Sequence, residues 1–446
     1  MAGNSIAVRP FVEQFAALKA GLPGTGVPWL GDLREAAIER FGDLGVPTPR
    51  LEAWKYTRLR PLEKTAYRAV GEADAAADAG RLPSVLGAAA GHRLVFVNGR
   101  LRPDLSTPGA LPDGARIESL RDALASDPGA LEAQLGRIGV LDGQPMLALN
   151  TAMMDDGYVL RVGPGVALPA PVEIVFLGGT ADEPVACHTR NLILLDEGSR
   201  ATVVEHHLGA GKGAYFANGA TEISVAGAAH LTHHKVQAEG SGALHLATVH
   251  AEVGADATYE GFCFATGARL SRYEVGVRLV GSGANCSLTG AYMMRGDQHC
   301  DNTTVVEHTV PDTSCREVFK GVLDGKARGV FQGRIVVRED AQRTDGNQTC
   351  KTLLLSDRAE IDAKPELEIY ADDVKCSHGA TVGAIDEDAL FYLRSRGIPE
   401  AAARGLLVRS FLAETLHDVK PEPLAEALEE MIAAWLSQAA NGEQHE

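Results

Sequence analysis

The stretch VGADATY, Val253–Tyr259, sets a glycine three residues ahead of a small side chain and five ahead of a large apolar one. Related stretches are EGSRATV (Glu197–Val203), AGAAHLT (Ala226–Thr232), VGSGANC (Val280–Cys286), DGKARGV (Asp324–Val330) and SDRAEID (Ser356–Asp362). Aligned on Gly198, Gly227, Gly254, Gly281, Gly325 and Ser356, they recur at nearly even steps, with one longer interval between Gly281 and Gly325. Three positions on stand Ala201, His230, Ala257, Ala284, Arg328 and Ala359, and five positions on stand Val203, Thr232, Tyr259, Cys286, Val330 and Ile361. A small and then a mostly apolar residue at this period, with no helical pattern between, predicts an inward-facing column in a β-solenoid. Each coil of such a fold buries its apolar face only on its neighbours. The longer interval then holds an insertion around MRGDQHCDNTTVVEH (294–308). A sandwich with long hairpins is the alternative architecture.

Short Val, Ile and Leu strands separated by Gly, Asp and Asn extend this texture from about Gln144 to about Tyr370. The fold class expected is mainly β, a solenoid core between helical ends. Residues 1–90 form an N-terminal helical domain and linker: FVEQFAALKAG and LGDLREAAIERFGDLG carry apolar residues at helical spacing around the breaker GLPGTGVP, and VGEADAAADAGRLPS reads as the linker. Residues 91–385 form the core, beginning with a mixed α/β lead-in to about 143. Residues 386–446 form a C-terminal helical domain, in which Gly397, Pro399, Pro421 and Pro423 punctuate three helices.

Forty-two basic against 59 acidic residues give a net charge of −17, with no Lys/Arg run suited to phosphates along a strand, so nucleic acid is not an expected partner. No stretch approaches the roughly 20 apolar residues of a membrane helix, and MAGNSIAVRPFVEQF lacks a basic segment followed by an apolar core, so a cytoplasmic, membrane-free location is expected. The seven cysteines, Cys187, Cys263, Cys286, Cys300, Cys315, Cys350 and Cys376, are scattered and contain no C-x-x-C. That spacing speaks against a disulfide framework and against a self-contained zinc or ferredoxin-like site.

Familiar catalytic signatures are missing. GAGKGAYF, around Lys212, lacks the frame of a phosphate-binding loop, and neither H-E-x-x-H nor G-x-S-x-G occurs, so no ATP site is expected in this chain. His206, His207, His230, His233, His234, His245 and His250 are dense, but HLTHH puts His233 on the opposite strand face from His230 and His234, leaving any metal to find a ligand on a neighbouring coil. Cys187 with His188, and His299 with Cys300, likewise point to opposite faces, and core packing is the expected role of Cys286. Cys376 and His378, in DDVKCSHGATVG, stand at i and i+2 and share a face. A thiol and an imidazole so placed can share a soft metal or an iron–sulfur fragment, or the imidazole can lower the thiol pKa. Two ligands do not close a site, so the rest must come from another coil or another chain. Cys350 precedes Cys376 by close to one coil, and stacking could bring the two thiols together.

The segment RTDGNQTCKTLLLSDRAEIDAKPELEIYADDVKCSHGATVGAIDEDALFYLRSRGIPEAAARGLL, Arg343–Leu407, together with PRLEAWKYTRLRPL, Pro49–Leu62, resembles the SufB and SufD family of the Suf iron–sulfur cluster assembly system. SufB chains have a Glu-His-Glu sequence where Ser377, His378 and Gly379 stand here, a difference that favours the SufD branch. The resemblance implies a right-handed β-helix flanked by helical domains, a scaffold rather than an enzyme, a heterodimer with a SufB-like subunit, and a SufC-like ATPase docking on the C-terminal helices. It implies that a transient iron–sulfur cluster, or iron, visits the partner interface. There His378 is the implicated ligand, shared with the partner's cysteine and glutamate, and Cys376 is its neighbour. Family members commonly carry asparagine at the position of Cys350, which is either an incidental substitution or a restored thiol. The rival readings are a SufB-type subunit accepting sulfur at Cys350, and a β-helix polysaccharide lyase or hydrolase using Asp362, Asp372 and Asp373.

Overall fold

At the corner before each of six successive strands of one sheet, a residue turns the backbone into the left-handed region in the computed structural model, which describes residues 2–442 apart from 81 and 212. Lys212 therefore lies outside the described residues. The turning residues are Gly198, Ala228, Asp256, Gly283, Asp312 and Arg343, with φ between 55° and 78°. A strand begins one or two positions after each, at Arg200, His230, Thr258, Asn285, Ser314 and Thr344. Left-handed backbone disfavours side chains other than glycine, although Asp tolerates it better than most. Here the closed coil holds Ala, Asp and Arg there as well. This explains why an alignment on glycine drifts: Gly198 is itself the turning residue, whereas Gly227, Gly254 and Gly281 stand one or two positions before it.

The strands alternate between two sheets, and from Arg190–Leu195 onward each solenoid strand pairs in parallel with the strand after next. The coils number about eight. In the first sheet the register stacks Ile193, Ile223, Ala251, Val277, Val306, Ile335 and Leu367 into an apolar column facing the lumen. The second sheet stacks Val172, Val203, His233, Gly261, Leu288, Glu317, Gln348 and His378. Of the column expected from sequence, Tyr259 and Cys286 are in register. Val203 is paired with His233 rather than Thr232, and Val330 and Ile361 belong to the other sheet. Nor is there an insertion in the longer interval between Gly281 and Gly325. Gly281 precedes a strand of the second sheet and Gly325 one of the first, while His299–His308 between them is a regular strand.

Helices cover both outer faces. The helices Ala2–Leu18, Pro28–Leu44 and Pro145–Met153 pack with Trp54 on Phe216, Leu244, Leu246 and Leu270 of the first sheet. The N-terminal segment is pinned there by Thr57, which donates to Asp301, and by Trp54, whose ring lies 4.1 Å under the Arg272 guanidinium. On the second sheet, Val236, Phe262, Phe264, Met293 and Val322 receive Val408, Leu412, Leu424, Leu428 and Ile432 of the helices Glu400–Leu416 and Glu422–Gly442. Lys320 anchors the first of these through the Phe411 carbonyl at 2.6 Å and Glu414 at 2.7 Å.

The solenoid stops at Glu360–Ile369 and Val374–Gly383, each paired on one side only. Asp386 then starts the helix Glu387–Ser395 by accepting from the amides of Asp388 and Ala389, an N-cap that satisfies two otherwise unpaired donors. Because no strand or helix among the described residues roofs the last coil, its lumen face is open: Val382 is 51% and Ile369 40% exposed.

Candidate functional site

Cys376 and His378 both lie on this open terminal strand, on its lumen face, as the i and i+2 spacing requires. Cys376 faces Gly346 across the ladder, and the absence of a side chain there leaves room for sulfur. A β-carbon on Gly346 would stand 3.4 Å from Cys376 Sγ and 3.6 Å from Cys315 Sγ. Cys376 is half-buried and its thiol pKa is raised, chiefly by burial. His378 is exposed and stands above Gln348 and Glu317 in the column already described.

The register separates Cys350 from Cys376. Cys350 pairs with Ala380, and Cys376 pairs with Gly346, four positions along the strand. At about 3.3 Å per residue the two α-carbons are offset by roughly 13 Å along the strand, before the spacing between strands is added. Coil length alone did not reveal this, because Cys376 falls four positions short of Ala380, the true ladder partner of Cys350. Cys350 is also closed off, 1% exposed, with its thiol pushed up to about 12 by burial. A thiol in that state is a poor nucleophile.

Two groups beneath the open end carried no signal in the sequence. Cys315 lies one coil below Gly346 in the same column, with His308 Nε2 3.2 Å from its sulfur. Burial, and then the nearby Glu317, raise the Cys315 thiol, and burial lowers His308 to about 4, so the pair is neutral. Glu317 is fully enclosed, accepting from Thr304 at 2.7 Å and from Gln348 at 3.0 Å. Burial pushes its carboxyl up to about 7, the two hydrogen bonds opposing. Glu317 and Gln348, like Cys315 and Gly346, are one coil apart in the chain, and His308 reaches Cys315 around a corner, seven residues along the chain, so no local motif links them.

The folded state keeps the Glu317 proton up to about pH 7, whereas the unfolded chain releases it near ~4.3. Between these values the native state binds more protons, so this group's contribution to stability falls as pH rises. Glu317→Gln is therefore expected to be more stable than the unaltered chain at pH 8, by about 4 kcal/mol, and to show no gain at pH 4. Thermal melts at the two pH values check this.

Of the dense histidines, His207, His233 and His245 meet in the lumen, where His207 and His233 share Glu205, the latter at 3.4 Å, and the His207 and His245 rings lie 4.9 Å apart. His233 faces the lumen, 3.3 Å from the Tyr259 hydroxyl, while His234 lies outside against Phe262. His245 pairs with Glu239 at 2.7 Å, and His207 with Glu205 at 3.1 Å. Among the described residues no group of three or more His, Cys, Asp or Glu side chains is arranged to hold a metal ion. Asp362 and the Asp372–Asp373 pair stand at opposite ends of the strand Glu360–Ile369, and Asp362 is engaged by Arg328 at 2.5 Å, so the three carboxylates make no acidic cluster. No described helix is long and apolar enough to cross a membrane.

Comparison with known proteins matches residues 176–411 to the SufBD core domain of SUF-system FeS cluster assembly, and residues 9–174 to the SufBD protein N-terminal region. The iron–sulfur cluster assembly protein SufD of Escherichia coli is 33% identical, over 85% of this chain and 87% of its own length. A SufBD family protein of Synechocystis is 31% identical over 93% of this chain and 92% of its own. The SufD of Bacillus subtilis is 26% identical over 91% and 93%.

Proposed function

This chain belongs to the SufBD family of iron–sulfur cluster assembly proteins, and from that premise we propose that it is a non-catalytic scaffold whose open solenoid end receives a SufB-like subunit. The carrying observation is that end itself: Cys376 and His378 are presented on the lumen face of an uncapped coil, beside unpaired strand edges. Such edges are templates for pairing with another chain. Iron and sulfur are cargo here. His378 supplies a neutral imidazole to iron, and the remaining ligands come from the partner.

Docking of a SufC-like ATPase on the C-terminal helices is supported by the apolar side chains they leave outside, Phe391 at 73%, Tyr392 at 58% and Leu406 at 47% exposure. Large apolar groups of this kind on adjacent helices suit a partner surface. The burial of Cys350 and its raised thiol pKa favour the scaffold over a subunit that accepts sulfur directly.

Co-expression with SufB-like and SufC-like chains, followed by anaerobic reconstitution with iron, a sulfur donor and ATP, tests this. The three chains are expected to co-elute and to develop the visible absorption of an iron–sulfur cluster. A chain that elutes alone, or a cluster that forms equally well without it, sinks the proposal.

A further inference from the structure

A groove of about 860 Å³ lies between the N-terminal segment and the starts of successive strands of the first sheet, up to Arg328. Four cations of the N-terminal segment line it, Lys55, Arg58, Arg60 and Lys64, and the sheet adds Arg269 and Arg328. Arg328 is held by Asp362 at 2.5 Å. The other five make no side-chain ion pair or hydrogen bond among the described residues, and the only acidic side chain lining the groove among them is Asp297. Five unpaired cations in one concavity are unexpected in a chain of net charge −17. Like charges repel, and a surface with this much acid could pair each of them; a concave wall of one sign instead focuses its field on an incoming anion.

The groove is built on a fixed floor. Thr57, between Lys55 and Arg58, reaches His299 Nε2 at 2.8 Å as well as Asp301, while Trp54 is buried beneath Arg272 and Glu52 holds Lys364 at 2.6 Å. The alternation of pinned and free side chains along 52–60 therefore presents the cations to the groove on a rigid strip. Its size suits one small molecule. Arginine forks with no carboxylate to satisfy them match phosphate bidentately, and the half-buried Tyr56 ring stands beside them with the Lys55 ammonium 5.4 Å from its centre.

We propose that this groove binds a small molecule carrying two adjacent phosphates, either free pyrophosphate or a nucleoside diphosphate. The site is independent of the cluster interface, and its test does not involve the partner chains.

Isothermal titration of the full chain with pyrophosphate, ADP and AMP, in about 50 mM salt so that screening is weak, reads it out. ADP and pyrophosphate are expected to bind, AMP more weakly, and R58E/R269E to weaken both by at least about tenfold, the usual cost of losing a hydrogen bond to a charged group. Equal affinity for ADP and pyrophosphate assigns recognition to the phosphates alone; tighter ADP adds the base against Tyr56. The double variant R116E/R137E, which makes the same change in net charge elsewhere, is expected to bind as the unaltered chain does. Absence of binding by either compound up to about 1 mM, equal weakening in both double variants, or binding of a Glu-rich peptide but of neither phosphate compound each overturns the proposal.

Discussion

His378→Ala is expected to lower the rate of cluster formation in the reconstituted three-chain complex by at least roughly 10- to 100-fold, the range seen when even an outer partner of a metal ligand is removed. The fold should not notice the change. His378 is exposed, and no side-chain hydrogen bond or ion pair holds it among the described residues, so truncation should alter stability by no more than about 0.5 kcal/mol. The two readouts thus separate ligation from folding: unchanged melting with lost assembly supports the role, and assembly within about twofold of the unaltered complex removes it. Cys376→Ser should do less, because that thiol is half-buried against Gly346 and its pKa is raised rather than lowered. Thiolate, not thiol, is the ligating form.

The largest expected change in stability comes from Glu222→Ala, about 3 to 5 kcal/mol, since removing one partner strands a buried charge. Arg190 is fully buried and Glu222 is 1% exposed. The carboxylate accepts from Arg190 and from the backbone amides of Gly136, Ile138 and Gly139 at 2.8, 2.9 and 3.2 Å. Arg190 in turn donates to Asn150 and Thr151 on the helix Pro145–Met153. One ion pair therefore ties the lead-in loop and that helix to the solenoid. Urea unfolding followed by circular dichroism should show the midpoint falling, with Glu222→Gln in between, because an amide oxygen still accepts from the loop. Burial opposes the Glu222 charge, but Arg190 and the three amides outweigh it, and the carboxyl pKa is lowered. With a depressed folded pKa, the contribution is present above the unfolded value near ~4.3 and is lost as pH falls through the folded one. The gap between the chain and its alanine variant should therefore shrink in acid.

The solenoid was legible in the sequence because every coil must bury an apolar stripe, and that requirement leaves a period. Its register was not legible, because the turning residue is Asp256, Asp312 or Arg343 as readily as glycine, and glycines close to it in the chain stand at other backbone angles. The pairing of Cys376 with His378 on one face needed only the two-residue repeat of a strand, and it stands. The stacking of Cys350 on Cys376 needed the register to a single residue, and it fails by four positions. Glu317, Gln348 and Cys315 escaped notice for the same reason, since their proximity to the open end exists only across the ladder, and His308 joins them only around a coil corner.

The left-handed turning residues at the coil corners carry a further consequence. Side chains alternate between lumen and outside with a period of two, so one residue gained or lost inside a strand exchanges those faces for the rest of that strand. The turns already absorb differences, since the short coil from Asp256 to Gly283 and the longer one from Asp312 to Arg343 keep the same ladder. The length of this molecule is accordingly quantised: it can drift freely at the corners, and otherwise it grows or shrinks by a whole coil.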